Sequence, residues 1–173
     1  MVCAMCWCIQ AVLPLADLER WATRAKEPGW HVQFLAEGPQ LLEIAPRLEK
    51  LACPAVIDHI GMFNPLGDLG QPVFQAVLRL MRQGHWVKLS GAYRLSEQSP
   101  PYPELKPFVA QLVAKRPDRL VWASDWPHVF IKTPMPNTTD LLDALADWVP
   151  DEATRNRILI DNPAALLRLL RLR

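Results

Sequence analysis

Four short apolar runs begin near residues 30, 55, 86 and 119 and alternate with segments of helical periodicity. No other feature constrains this chain as strongly. Spacing of this kind fits strand–helix units joined into a parallel sheet, because each parallel crossover needs a helix between its strands. The strands expected are 30–35, 53–59, 86–90 and 119–124. The helices expected are 16–27, 40–51, 72–83, 104–115 and 140–148, then two more over 151–160 and 164–172. Pro46 predicts a kink or a later start in the second helix. Thr138 or Thr139 is expected to cap the helix at 140.

Helix-to-strand connections are short (Ala52-Cys53-Pro54, Gly84-His85, Pro117-Asp118), whereas the later strand-to-helix loops are long. Long loops at strand C-termini are where α/β enzymes build pockets. Two strands end there in titratable groups. One is Ala-Val-Ile-Asp-His-Ile-Gly (55–61) and the other Leu-Val-Trp-Ala-Ser-Asp-Trp-Pro-His (120–128). Asp125 and His59 are therefore expected to face one site.

With 173 residues, half of them apolar, the chain is expected to build one domain with a real core. Residues 1–15 read as an N-terminal tail without a secretory leader, and 16–173 as the domain. The net charge of +1 and the absence of a basic, aromatic-interleaved patch argue against nucleic acid. No apolar run has the length of a membrane span. Cys3, Cys6 and Cys8 lack a second Cys/His cluster to complete a tetrahedral metal set, so no metal ligands are assigned. Free thiols in an enzyme-like chain point to the cytoplasm.

Asp125, at a strand's end, can take a proton from water and deliver it to a leaving group. The plainer reading is a cap or loop hydrogen bond. His59 can polarise a carbonyl or bind a metal, and the plainer reading is a core histidine bonded to backbone. Strict strand alternation puts Ala55, Ile57 and His59 on one face and Val56 with Asp58 on the other. Arg94 beside Tyr93 suits a bidentate grip on a carboxylate, against an exposed loop arginine. His128 and Trp126 can line the same pocket. Lys88, inside a strand, is either an ion-pair partner or part of the pocket floor. Neither a Gly-x-Ser-x-Gly elbow nor a glycine-rich phosphate loop is present in the sequence.

Val-Ile-Asp-His-Ile-Gly (56–61), Trp-Val-Lys-Leu-Ser-Gly-Ala-Tyr-Arg (86–94), Pro-Asp-Arg-Leu-Val-Trp-Ala-Ser-Asp-Trp-Pro-His (117–128) and Ile-Leu-Ile-Asp-Asn-Pro-Ala (158–164) occur in this order. Together with Gly-Trp-His-Val-Gln (29–33), they resemble the amidohydrolase-related family, in particular its 2-pyrone-4,6-dicarboxylate lactonase-like hydrolases. The resemblance covers residues 16–166 and implies a partial (β/α)8 TIM barrel. About four parallel βα units would be the last four strands, followed by C-terminal helices. It matches Asp125 to the aspartate ending the eighth strand, His59 to the histidine ending the sixth, and Arg94 to an arginine that contacts a substrate carboxylate in the lactonases. Asp125 and His59 are therefore expected as catalytic, and Arg94, with the neighbouring Tyr93, His128 and Trp126, as substrate-binding. The family's His-x-His motif has no counterpart here, and Met62 stands where the lactonases carry a second carboxylate-binding arginine.

The function so implied is hydrolysis of a lactone, ester or amide of a small carboxylic acid, metal-dependent or metal-independent. A divalent metal such as zinc belongs to complete relatives, and none is assigned to this chain. The alternative is an inactive half-barrel that needs a partner or self-association, as in a homodimer.

Overall fold

A computed structural model describes residues 5–8, 15–128 and 135–168 of the chain. Five parallel strands lie side by side in sequence order. They are β1 (Met5–Cys8), β2 (Val32–Leu35), β3 (Ala55–Ile57), β4 (Trp86–Leu89) and β5 (Leu120–Trp122). Strands in sequential parallel order, each followed by helix, are the arrangement of consecutive units of a (β/α)8 barrel. The four expected strands are β2 to β5. The fifth, β1, falls within the stretch read from sequence as a tail and pairs along β2, Met5 opposite Val32 and Cys8 opposite Leu35. Four residues without a preceding turn signal are too short to stand out as a strand by periodicity.

The helices are α1 (Leu18–Lys26), α2 (Gly38–Leu48), α3 (Pro72–Arg82), α4 (Ala92–Leu95), α5 (Lys106–Lys115), α6 (Thr138–Trp148), α7 (Glu152–Asn156) and α8 (Asn162–Leu166). A π-helical segment, Arg157–Asp161, joins the last two. Helix α2 starts earlier than expected. A reciprocal Glu37–Gln40 capping box and Pro39 in the first turn set its start, and Pro46 falls in its last turn. Asn137, and neither threonine, caps α6, its Oδ1 accepting from Thr139 N–H at 2.9 Å. Asp151 caps α7 through Thr154 N–H at 2.8 Å. The expected last helix runs to Leu172, which lies outside the described residues.

Alternation along the strands divides the sheet into two faces. Val32, Phe34, Ala55, Ile57, Val87, Leu89 and Leu120 join the main core, beneath the helices. Helices α2, α3, α5 and α6 pack successively against one another over it. Phe63, Phe74 and Phe108 meet there as an aromatic trio, with centroids 4.3 to 5.2 Å apart. The opposite face has a small apolar set, Val56, Trp86 and Val121, against which Leu166 of α8 packs. The Asn162 amide donates to the carbonyls of Pro117 (2.7 Å) and Leu120 (2.6 Å), tying α8 to the start of β5. Among the described residues, no helix is long and apolar enough to cross a membrane.

Candidate active site

The loops leaving β3, β4 and β5 converge at the C-terminal edge of the sheet. Beyond β3 the chain turns at once through left-handed backbone, with φ of 48° at His59, 58° at Ile60, 90° at Gly61 and 50° at Met62. This turn overrides alternation. His59 would otherwise follow Ala55 and Ile57 into the helix-covered core, but instead its ring faces Ser90 and Asp125. Asp125, three residues past β5, is also left-handed at φ 62°. Such backbone in non-glycine residues costs about 1–3 kcal/mol each and concentrates at functional sites. A turn over Asp125–His128, closed by His128 N–H to the Asp125 carbonyl at 2.8 Å, encloses the cis Trp126–Pro127 peptide.

Asp125 is the hub. Its Oδ2 accepts from the Tyr93 hydroxyl at 2.5 Å and from Arg94 Nε at 2.8 Å, and its Oδ1 lies 3.8 Å from His59 Nε2. Since the Tyr93 hydrogen goes to Asp125, the phenol oxygen accepts from His128 Nδ1 at 3.4 Å. The rings of Tyr93 and His128 meet edge to face at 5.6 Å, and the Arg94 guanidinium lies over the Tyr93 ring. Five of the six residues named from sequence are thus linked into one cluster through Asp125 and Tyr93. Trp126 differs: its side chain is 77 % exposed, and no hydrogen bond or ring contact joins it to the cluster among the described residues.

Burial alone would raise the Asp125 carboxyl, but the Tyr93 hydroxyl, the His59 ring and Arg94 outweigh it and hold the group below the usual carboxylate range. Burial pushes His59 down, and the positive charges of Arg94 and Lys88 act in the same direction. Asp125 and Asp58 oppose this without cancelling it, so the ring is neutral at neutral pH. Burial and the adjacent carboxylate push the Tyr93 phenol upward, keeping it protonated. An ionised Asp125 only accepts. The neutral ring that suits both neighbours therefore carries its hydrogen on Nε2, toward Asp125, while Nδ1 accepts from Ser90 Oγ at 3.0 Å.

Ser90 carries no motif of its own in the sequence; its place here is to hold the imidazole. Gly91, the next residue, is left-handed at φ 62°, and a Cβ there would lie 2.5 Å from His59 Nδ1. Gly91→Ala is therefore expected to displace the ring. Stability should fall by about 1 kcal/mol or more, read by urea unfolding.

A zinc ion fits these residues poorly. His59 and Asp125 are two donors where a catalytic zinc takes three protein ligands, and the Arg94 cation already bonds Asp125 Oδ2. Among the described residues, no group of three His, Cys, Asp or Glu side chains is placed to hold an ion. A cleft of about 450 Å³ adjoins the cluster, lined by Met62, Asn64, Val73 and Arg94 among others.

An amidohydrolase family model matches residues 10–169, nearly the whole chain. The chain belongs to the amidohydrolase family. It is 42% identical over 157 residues to a 4-sulfomuconolactone hydrolase of Hydrogenophaga intermedia, which covers 89% of this chain and 52% of that one. It is 35% identical over 158 residues to a D-galactarolactone isomerase of Agrobacterium fabrum, over 90% of this chain and 54% of that one. A crystal structure of a probable 2-pyrone-4,6-dicarboxylic acid hydrolase from Acinetobacter baumannii, with citric acid bound, superposes with a TM-score of 0.77 at 27% identity. It covers 92% of this chain and 60% of that one. This amidohydrolase chain thus spans about half the length of the curated relatives it matches. Its fold is that of part of their barrel.

Proposed function

We propose that the cluster around Asp125 hydrolyses the ring ester of a small lactone that carries a carboxylate. The carrying observation is the pair formed by an ionised Asp125 and a neutral His59 at one strand edge, with Arg94 beside them. In this reading, Asp125 removes a proton from water as the water oxygen bonds to the lactone carbonyl carbon. His59 Nε2–H donates to the oxygen on which negative charge develops. Collapse breaks the ring C–O bond, and Asp125 returns its proton to the departing ring oxygen, giving the ring-opened acid, which for a 2-pyrone is an enol that tautomerises to the oxo acid. The names of the relatives, two lactone hydrolases and a lactone isomerase, support this substrate class.

Arg94 has two tasks in this scheme. Without substrate it holds Asp125 in its weakly basic form. A substrate carboxylate draws the guanidinium into a bidentate pair and relieves Asp125 of that contact, which raises its basicity as water is to be activated. Activity should be lost as pH falls through the Asp125 pKa. That acid limb is expected below the usual carboxylate range in kcat/KM, which reports the free enzyme, and at higher pH in kcat, which reports the complex. The test is a pH series with 2-pyrone-4,6-dicarboxylate and 4-sulfomuconolactone. In Arg94→Gln, KM should rise and the two limbs should coincide. Limbs that already coincide in the wild type would remove Arg94 from this role.

A further inference from the structure

Directly beneath the site, on the face away from the helices, three polar side chains from adjacent strands form a buried cluster. The Asp58 carboxylate accepts from Gln33 Nε2 at 2.8 Å through Oδ2, and the Lys88 ammonium lies 2.8 Å from Oδ1. Gln33 belongs to β2, Lys88 to β4, and Asp58 leaves β3 while its N–H still bonds the Phe34 carbonyl of β2. Gln33 and Asp58 are buried, and Lys88 is partly so.

Stability alone is a weak reason for such a cluster. Desolvating an ion pair consumes most of its Coulombic gain, and apolar side chains of similar volume usually hold strands together as well. Their register neighbours on this same face do so: Val56 beside Gln33, Val121 beside Lys88, and Trp86 beside Val56. What distinguishes Asp58 and Lys88 is the chain that follows them. Asp58 is bonded covalently to His59. Lys88 accepts the Ser90 N–H on its carbonyl at 3.1 Å, and Ser90 Oγ holds His59 Nδ1. The two ends of the ion pair thus lead, within two residues, to the two ends of the imidazole's hydrogen bond.

We propose that Lys88 and Asp58, steadied by Gln33, are positioning residues that fix the His59 ring with Nδ1 on Ser90 and Nε2 toward Asp125. This rests on the reading of His59 as the oxyanion donor. The ammonium pins the carboxylate, the carboxylate fixes where β3 ends, and the left-handed turn there can then set the ring in one orientation. Four charged groups surround that ring: Asp125 and Arg94 from the loops above, Asp58 and Lys88 from the sheet below.

The experiment compares Lys88→Met and Lys88→Arg in the full chain by two readouts. The first is the nitrogen-15 resonances of the His59 ring, expected in the wild type as one protonated and one bare nitrogen. The second is kcat and KM for 4-sulfomuconolactone. Lys88→Met is expected to average the two nitrogen resonances and lower kcat by about tenfold to a hundredfold with little change in KM, as for other partners that orient a reacting group. Lys88→Arg should restore both. Unchanged His59 resonances in Lys88→Met overturn the proposal, whatever happens to kcat. If the wild type fails to turn over lactone, the hydrolase reading falls while the resonances still decide the positioning role. If Lys88→Met does not fold, Asp58→Asn, which keeps the side chain's size and removes its charge, is read by the same resonances.

Discussion

Asp125→Asn is expected to lower kcat/KM by about a hundredfold to ten-thousandfold, the scale on which a positioned general base contributes. The substituted amide keeps the shape of the carboxylate. Its oxygen can still accept from Tyr93 and Arg94, so the turn over Asp125–His128 and the fold beneath it should persist. What is lost is the group that takes a proton from water. Binding should move the other way. Arg94 Nε now lies 2.8 Å from an anion that competes with a substrate carboxylate, and the neutral amide competes less. KM is therefore expected to stay level or fall while kcat collapses. A rise in KM with kcat preserved would identify Asp125 as a binding group only.

Phe74→Ala should be the most damaging change to stability. Phe74 is fully buried on α3 and packs between Phe63, at 5.2 Å, and Phe108, at 4.9 Å and 89°. Truncation removes the transfer free energy of a large ring and leaves a cavity that two other aromatic rings cannot easily fill. The usual cost is about 3–5 kcal/mol. Against a typical domain stability of about 5–15 kcal/mol, that is a large fraction of the whole. Urea unfolding should show the midpoint shifted strongly downward. A loss below about 1 kcal/mol would mean that the trio contributes little beyond ordinary surface packing.

The parallel architecture was legible because strand and helix alternate with clear periods, and because glycine and proline punctuate the joins. Strand β1 was not, since four residues carry too little periodicity to be told from an apolar tail. At α6 three adjacent residues can cap, Asn137, Thr138 and Thr139, and asparagine, which caps at least as well as threonine, takes the position. At the candidate site, the clustering of Asp125, Tyr93, Arg94 and His128 could be anticipated from sequence because they follow apolar strands and lie within the matched motifs. The placement of His59 could not be derived from alternation, which sends it into the core. Only the left-handed turn at 59–62 brings it round. Gln33, Asp58 and Lys88 illustrate another limit. Lys88 stands out within its strand as a candidate ion-pair partner, but that the partner is Asp58, with Gln33 beside it, emerges only from the register that sets β2, β3 and β4 side by side.

The most direct test of the account is the rate at which the purified chain hydrolyses 2-pyrone-4,6-dicarboxylate and 4-sulfomuconolactone, with wild type and Asp125→Asn measured side by side after both are shown to be folded. The account expects ring-opened acid product from the wild type with at least one of these lactones, and turnover at background from the variant with substrate binding retained. Equal turnover by the two proteins, or no product from a folded wild type, would contradict the assignment of this cluster as a lactone-hydrolysing site.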